Sequence, residues 1–169
     1  KQHGYRTACF GKWHLGWEWP FAPDEKPLFM FDKEDTGPVS SDHVQAWQRT
    51  FAQHLRGGPL DCGFDVYHGT DVPNWPPFCF IEQDKTVGIP DTLLPQGLLV
   101  RLQASRQGPA LDGWALKPIL PTLGRRTCEY IVQAAREEQP FFIYMPLTAP
   151  HTPIAVNEPW VGKSGLNSY

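Results

Sequence analysis

The sequence has little of what marks the specialised protein classes. Only four of its 169 residues are cysteines, and none lies in a Cys-x-x-Cys pair, so neither a dense disulfide scaffold nor a zinc knuckle is indicated. No run of about 18 apolar residues occurs, which leaves no candidate for a membrane-spanning helix. With a net charge of −3 and only short basic clusters, the chain does not have the clustered basic residues that binding to nucleic acid requires. Its hydrophobic content of 41% is enough to build a packed core.

A lysine and a histidine lie two positions apart just after a short apolar run. Residues 4–16 read Gly-Tyr-Arg-Thr-Ala-Cys-Phe-Gly-Lys-Trp-His-Leu-Gly, which places Lys12 and His14 at the end of a predicted strand. Because side chains two apart on a strand share a face, both can point at one target. A fixed cation beside a titratable imidazole suits an anionic ester. The alternative is a structural role, with Lys12 solvated and His14 packed under Trp13.

A second histidine follows an apolar strand near the other end of the chain. Residues 139–153 read Gln-Pro-Phe-Phe-Ile-Tyr-Met-Pro-Leu-Thr-Ala-Pro-His-Thr-Pro. The run at 141–145 has no polar alternation, which predicts a central strand covered on both faces. The prolines on either side of His151 restrict its backbone. Loops at the carboxyl ends of strands form the ligand crevice of open α/β sheets, so we expect His151 to lie there.

Two helices are predicted between these segments. The first has Val44, Trp47, Phe51 and Leu55 at helical spacing, with Ser41 or Asp42 as its cap. The second runs from Pro121 to about residue 138 and leads into the strand at 141–145.

The second helix has an apolar stripe that we expect to pack on a sheet. A helix that leads into a strand is a unit of a parallel sheet, and the predicted fold class is therefore α/β. The stripe consists of Cys128, Ile131, Val132 and Ala135. Residues 78–95 are expected to form two short strands around a turn, and residues 17–40 and 96–118 are expected to be loops.

These motifs resemble the sulfatase family, in their order along the chain. Its members carry Gly-Tyr-x-Thr-x-x-x-Gly-Lys-Trp-His-Leu-Gly, which matches residues 4–16, then a Gly-Phe-Asp segment, as at 63–65. Their Pro-Phe-Phe-x-Tyr strand and Ala-Pro-His-Thr-Pro loop match residues 140–153. The resemblance implies part of an alkaline-phosphatase-like domain with a mostly parallel central sheet flanked by helices. It also implies that the protein is a sulfuric ester hydrolase.

The resemblance also implies roles for individual residues. Lys12 would bind the sulfate oxygens, and His14 would orient or deprotonate the hydroxyl of the nucleophile. His151 would contact the bridging oxygen of the ester or protonate the leaving group. Asn74, in a loop that shapes the substrate pocket of the family, is a candidate for a hydrogen bond to the substrate, although an asparagine in a proline-rich turn more often bonds its own backbone.

Two elements of the family's active site have no counterpart in this sequence. The nucleophile is a formylglycine made from the cysteine of a Cys-x-Pro-x-Arg segment, and no cysteine here is followed by proline two positions later. The calcium ligands include Asp-Asp and Asp-Asn pairs, which are also absent. We therefore expect residues 1–169 to be an incomplete portion of one catalytic domain, inactive alone and without a metal site of its own. Formylglycine and calcium would belong to the full-length protein.

The resemblance also predicts a location and partners. The full-length protein would be extracytoplasmic, that is secreted, periplasmic or lysosomal. Its substrate would be a sulfate ester, and a sulfated carbohydrate is one candidate; neither nucleic acid nor a membrane span is expected. Two other functions stay open: a phosphodiesterase or phosphonate hydrolase of the same superfamily, and a catalytically inactive relative that binds sulfated sugars.

Overall fold

A five-stranded sheet organises the chain, of which the computed structural model describes residues 3–32, 38–99 and 105–165. In chain order the strands are β1 (Arg6–Lys12), β2 (Phe31–Asp32), β3 (Val66–Thr70), β4 (Ile81–Glu82), β5 (Lys85–Thr86), β6 (Thr92–Leu93), β7 (Arg106–Gln107), β8 (Pro109–Ala110) and β9 (Phe141–Tyr144). The α-helices are α1 (Ser41–Phe51) and α2 (Ile119–Ala134), and short 3₁₀ helices span Pro23–Leu28 and Gln96–Leu98.

The sheet has the strand order β5-β4-β3-β1-β9, with β1 in the middle of three parallel strands. The β4–β5 hairpin adds two antiparallel strands on the outer side of β3. The remaining strands form two separate two-stranded pairs, β2 with β7 and β6 with β8. The predicted α/β class is confirmed, and so are the two short strands around a turn in residues 78–95. The sheet is mixed, because parallel pairing is confined to its three longest strands.

Alternating residues of β1 fill the two faces of the sheet. Ala8 and Phe10 lie on the face that packs against α2, in a cluster with Tyr130 and Ala134. Cys9 points to the other face, into a cluster of buried and partly buried side chains from neighbouring strands and from the loops around the sheet. All three of these β1 residues are buried, so the strand is covered on both faces.

The face of α2 that packs on the sheet differs from the predicted one. The predicted stripe, Cys128, Ile131, Val132 and Ala135, is exposed. The buried side chains are Ile119, Leu123, Thr127, Tyr130 and Ala134. The stripe formed by these buried residues packs on the sheet because it also includes the large apolar residues of the first half of the helix. In addition, the Tyr130 ring fits between two aromatic rings of neighbouring strands, Phe10 and Phe141.

The prediction that β9 is covered on both faces is wrong for the described residues. Phe141 and Ile143 pack against the α2 cluster, but Phe142 and Tyr144 are 52% and 42% exposed. The strand pairs with β1 on one side and stands at the edge of the described sheet. The ring of Phe64 stacks near both exposed aromatic side chains and gives this face a partial cover.

Helix α1 agrees with its predicted core residues and differs at its ends. Trp47 and Phe51 are buried, and the Trp47 indole donates a hydrogen bond to the carbonyl of Leu28 at 2.7 Å. The cap is Ser40, whose hydroxyl accepts from the backbone N–H of His43. The helix ends at Phe51, so Leu55 reaches the core from the segment that follows.

Candidate active site

The carboxyl ends of β3, β1 and β9 meet at one edge of the sheet and are tied together by backbone hydrogen bonds. The N–H of Lys12 donates to the carbonyl oxygen of Pro146, just after β9, over 2.7 Å. The N–H of Trp13 donates to the carbonyl oxygen of Thr70, the last residue of β3, over 2.9 Å. The loops that leave the two outer strands therefore begin on either side of Lys12.

Glycines allow this close approach of the backbones. A Cβ on Gly11 would lie 2.0 Å from the carbonyl oxygen of Pro146, and one on Gly69 would lie 1.7 Å from the carbonyl oxygen of Gly11. The φ of Gly11 is also +147°, a conformation that side-chain-bearing residues rarely adopt. The residue before Lys12 therefore has to be glycine for the three strand ends to meet as they do.

Lys12 and His14 stand at this edge as predicted, although the strand ends between them. Lys12 is the last residue of β1 and is half-buried, whereas His14 lies two residues beyond the strand and is exposed. Trp13 between them is buried in the core cluster of the sheet, which anchors the chain at the point where it leaves β1. The His14 ring lies 6.5 Å from the Trp75 ring, centroid to centroid, so it does not pack under Trp13.

His151 lies in the loop that follows β9, also at this edge. Its backbone N–H donates to the carbonyl oxygen of Thr148 at 3.1 Å, which closes a turn around it. Its Nδ1 is 2.6 Å from the carbonyl oxygen of Thr152. A carbonyl can only accept, so Nδ1 carries the proton of this bond. The side chain is exposed, and Nε2 is left for a substrate.

Two neighbouring cavities open at the edge. The first, which we call the aromatic cavity, has a volume of about 460 Å³ and is lined by His14, Asp71 and six aromatic rings, those of Trp17, Trp19, Phe21, Phe29, Phe51 and Trp75, among others. The second, the His151 cavity, has a volume of about 430 Å³ and is mainly apolar, with Leu120, Ile154 and Trp160 in its wall.

The loop after β3 borders both cavities. Pro73 lines the His151 cavity, whereas Asp71, Val72 and residues 75–77 line the aromatic cavity. The structure thus brings Lys12, His14 and His151 to one edge, but it places the two imidazoles in adjacent cavities. That all three contact a single sulfate group stays a prediction.

Asn74 is in the same loop but is turned inward. It is 4% exposed, and its carbonyl oxygen accepts from the N–H of Arg106 at 3.0 Å. Its side chain is not among those that line the two cavities. Both roles proposed for its side chain, a bond to its own backbone and a contact with substrate, stay predictions.

Comparison with known proteins identifies the family. The sulfatase family model matches residues 1–168. The chain belongs to the sulfatase family. It is 29% identical over 168 residues to arylsulfatase G of Mus musculus, an alignment that covers 94% of this chain and 26% of that protein.

Comparison with solved structures shows a protein with the same fold. The chain superposes with a TM-score of 0.62 on a Bacteroides thetaiotaomicron protein, BT33336S-sulf, described in work on the metabolism of multiple glycosaminoglycans. The match covers 97% of this chain and 35% of that one at 20% identity, so it supports the fold alone. The chain thus spans about a quarter of the length of the curated relative and about a third of the solved structure.

Asp71 also lies at this edge, although the sequence did not single it out as a candidate for the site. It directly follows β3, is half-buried and lines the aromatic cavity. Burial raises the pKa of its carboxyl to about 7, against the opposing effects of a hydrogen bond from Trp19 and the positive charge of Lys12. Its position along the chain could have indicated it, because it comes directly after β3, as His14 comes shortly after β1.

The described residues of this sulfatase chain offer no ligand set for calcium. No three histidine, cysteine, aspartate or glutamate side chains are grouped as a metal site within residues 3–32, 38–99 and 105–165. In the same ranges no helix combines the length and hydropathy that crossing a bilayer requires.

Proposed function

We propose that the protein that contains this chain hydrolyses sulfate esters by transferring the sulfuryl group to water. The observation that carries the proposal is the edge where β3, β1 and β9 end together. There, in a chain of the sulfatase family, Lys12 and His14 leave β1 between the loop after β3 and the loop after β9, which holds His151. A cation and two imidazoles at the carboxyl edge of a parallel sheet form a suitable site for an anionic ester.

Lys12 is proposed to bind the sulfate oxygens. Sulfuryl transfer resembles phosphoryl transfer, in which negative charge spreads over the equatorial oxygens and the leaving oxygen. An ammonium group fixed at a strand end stabilises that charge without having to reorganise during the reaction. The backbone bond to Pro146 and the close packing at Gly11 hold the residue in place.

The two histidines are proposed to act on the oxygen atoms on either side of the sulfur. His14 would orient or deprotonate the hydroxyl of the nucleophile. His151, with its proton on Nδ1 held by the Thr152 carbonyl, would present Nε2 to the bridging oxygen of the ester. Protonation of the departing alcohol by His151 requires that Nε2 also carries a proton, that is, the imidazolium form.

The proposal extends to groups outside the described residues. A formylglycine would supply the nucleophilic hydroxyl, and calcium would bind to ligands that this chain does not supply. Members of the sulfatase family act mainly outside the cytoplasm or in lysosomes, and we propose an extracytoplasmic location for this protein as well.

Steady-state kinetics of the full-length protein test the proposal. With 4-nitrophenyl sulfate as substrate, Lys12→Ala, His14→Ala and His151→Ala are each expected to lower kcat about 100- to 1,000-fold, as loss of one stabilising donor typically does. His54→Ala is the matched control, because His54 is exposed and pairs with Asp84 away from the site. Faster turnover of 4-nitrophenyl phosphate than of the sulfate would contradict the proposal, as would unchanged kcat in the three variants.

A further inference from the structure

The aromatic cavity combines ring surfaces with one partly buried carboxyl. Six aromatic rings contribute to its wall, and two of them, Trp19 and Phe51, meet edge to face at 5.8 Å. Such a wall favours a flat or ring-shaped apolar group, because aromatic side chains provide large and rigid contact surfaces. His14 stands at the same cavity, so a group bound there would lie beside the proposed sulfate position.

Asp71 is the acidic side chain that the described residues contribute to this wall. Its carboxyl accepts a hydrogen bond from Trp19, which fixes its orientation. The titratable groups that face it or the cavity come from several elements, and they are Lys12, His14, Lys26, Tyr67 and Cys79.

Asp71 is the group at the described wall that repels an anionic ligand. Burial raises the pKa values of Tyr67 and Cys79, so both stay neutral near pH 7. Lys26 is exposed, and water and salt screen its charge. The half-buried carboxylate lies among aromatic rings, where the effective dielectric constant is lower and a charge acts more strongly.

We propose that the aromatic cavity holds the organic part of the substrate, and that Asp71 makes it select an uncharged ring over a ring that bears a carboxylate. This inference rests on the proposed function and names its substrate class: sulfate esters of neutral ring alcohols. The sulfate would lie at Lys12, with the bridging oxygen over the loop after β3 that borders both cavities. His151 reaches that oxygen from the second cavity.

The selection depends on pH in a defined direction. With a pKa of about 7, Asp71 is largely neutral in mildly acidic solution and carries its charge above neutrality. Repulsion of an anionic ring therefore grows as the pH rises through 7, whereas binding of a neutral ring changes little. The Asp71→Asn variant keeps an acceptor for the Trp19 indole and removes only the charge.

A pair of substrates that differ in charge tests the inference on the full-length protein. Methyl 4-(sulfooxy)benzoate is neutral at its ring substituent, and 4-(sulfooxy)benzoate carries a carboxylate. The kcat/KM ratio of neutral to anionic ester is expected to rise about tenfold between mildly acidic and mildly alkaline pH in the wild type, since a partly screened repulsion of about 1.4 kcal/mol between two like charges corresponds to a factor of ten. The ratio should stay flat in Asp71→Asn. Because each ratio is compared between variants, the intrinsic reactivities of the two esters cancel.

A binding measurement separates failure of this inference from failure of the proposed function. The probes are the free phenols, methyl 4-hydroxybenzoate and 4-hydroxybenzoate, titrated against the fluorescence of the cavity tryptophans. Tighter binding of the neutral phenol, lost in Asp71→Asn and kept in the control Asp112→Asn, supports the inference even if neither ester is hydrolysed. Equal discrimination in wild type and Asp71→Asn, in both assays, would overturn it.

Discussion

Replacement of Gly11 by alanine is the sharpest structural test of the edge where the three strands end. The new Cβ would lie 2.0 Å from the carbonyl oxygen of Pro146 and 2.7 Å from its carbonyl carbon, both of which are backbone atoms that cannot rotate away. The backbone of Gly11 has a φ of +147°, which adds strain for any residue with a Cβ. The substitution therefore has to push the end of β1 and the start of the loop after β9 apart.

The expected loss of stability follows from these two effects. Overpacking costs about 1–3 kcal/mol and the strained backbone about 1–3 kcal/mol, which gives roughly 2–6 kcal/mol together. That is a large share of the roughly 5–15 kcal/mol that stabilises a typical domain. With a urea m-value of about 2 kcal/mol per M, the unfolding midpoint should fall by about 1–3 M.

The matched control is Gly124→Ala in helix α2. A Cβ there meets nothing within 4 Å, and alanine is about 1 kcal/mol better than glycine inside a helix. Urea unfolding followed by tryptophan fluorescence should therefore show a lower midpoint for Gly11→Ala and an equal or higher one for Gly124→Ala. An unchanged midpoint for Gly11→Ala would refute the close approach of β1 to Pro146.

Two further predictions concern buried ionisable groups. Cys9 and Cys79 are buried, and burial raises the pKa of the Cys9 thiol to about 12, whereas Cys62 and Cys128 are exposed. A thiol reagent should label Cys62 and Cys128 in the native protein and all four cysteines only after denaturation; labelling of Cys79 without unfolding would contradict the packing. Burial lowers the pKa of His68, more than the hydrogen bond with Glu82 raises it. The unfolded chain therefore binds more protons than the folded chain below about pH 6.5. The contribution of His68 to the free energy of unfolding is fully present above that pH and is lost as the pH falls. The midpoint of thermal unfolding should fall less between about pH 7 and pH 5 in His68→Gln than in the wild type. An identical fall in both would show that His68 does not contribute to the pH dependence of stability.

The general plan of the site could be predicted from the sequence because it depends on local order along the chain. Lys12 and His14 come at the end of one apolar run and His151 lies in the loop after another, and the parallel arrangement of β1 and β9 then brings them to one edge. The α/β class follows from the same pattern of runs. What the sequence pattern could not supply is the division of the edge into two cavities, because the loop after β3 that separates them is irregular.

The face of α2 was predicted wrongly because two apolar stripes compete on it. Hydrophobic spacing alone favoured the line through Ile131 and Val132. The line through Leu123 and Tyr130 packs on the sheet because the Tyr130 ring fills the space between Phe10 and Phe141. Such a choice depends on the shapes of partners that are distant in sequence.

Asp71 was missed because its importance comes from burial and not from a motif. An aspartate in a proline-rich loop is usually a turn residue. Here the neighbouring aromatic rings remove it from water and raise the pKa of its carboxyl to about 7. Four of the rings come from residues 17–29, within the segment 17–40 that the sequence identified only as an irregular loop.

The most direct test of the central claim is a double-mutant cycle on Lys12 and His151 in the full-length protein. The claim is that both residues act on one sulfate group from adjacent strand ends. Residues that act as a unit have non-additive effects on catalysis. We predict that Lys12→Met combined with His151→Ala lowers kcat/KM for 4-nitrophenyl sulfate little further than the worse single variant. Effects that multiply in full would show two independent sites and contradict the account.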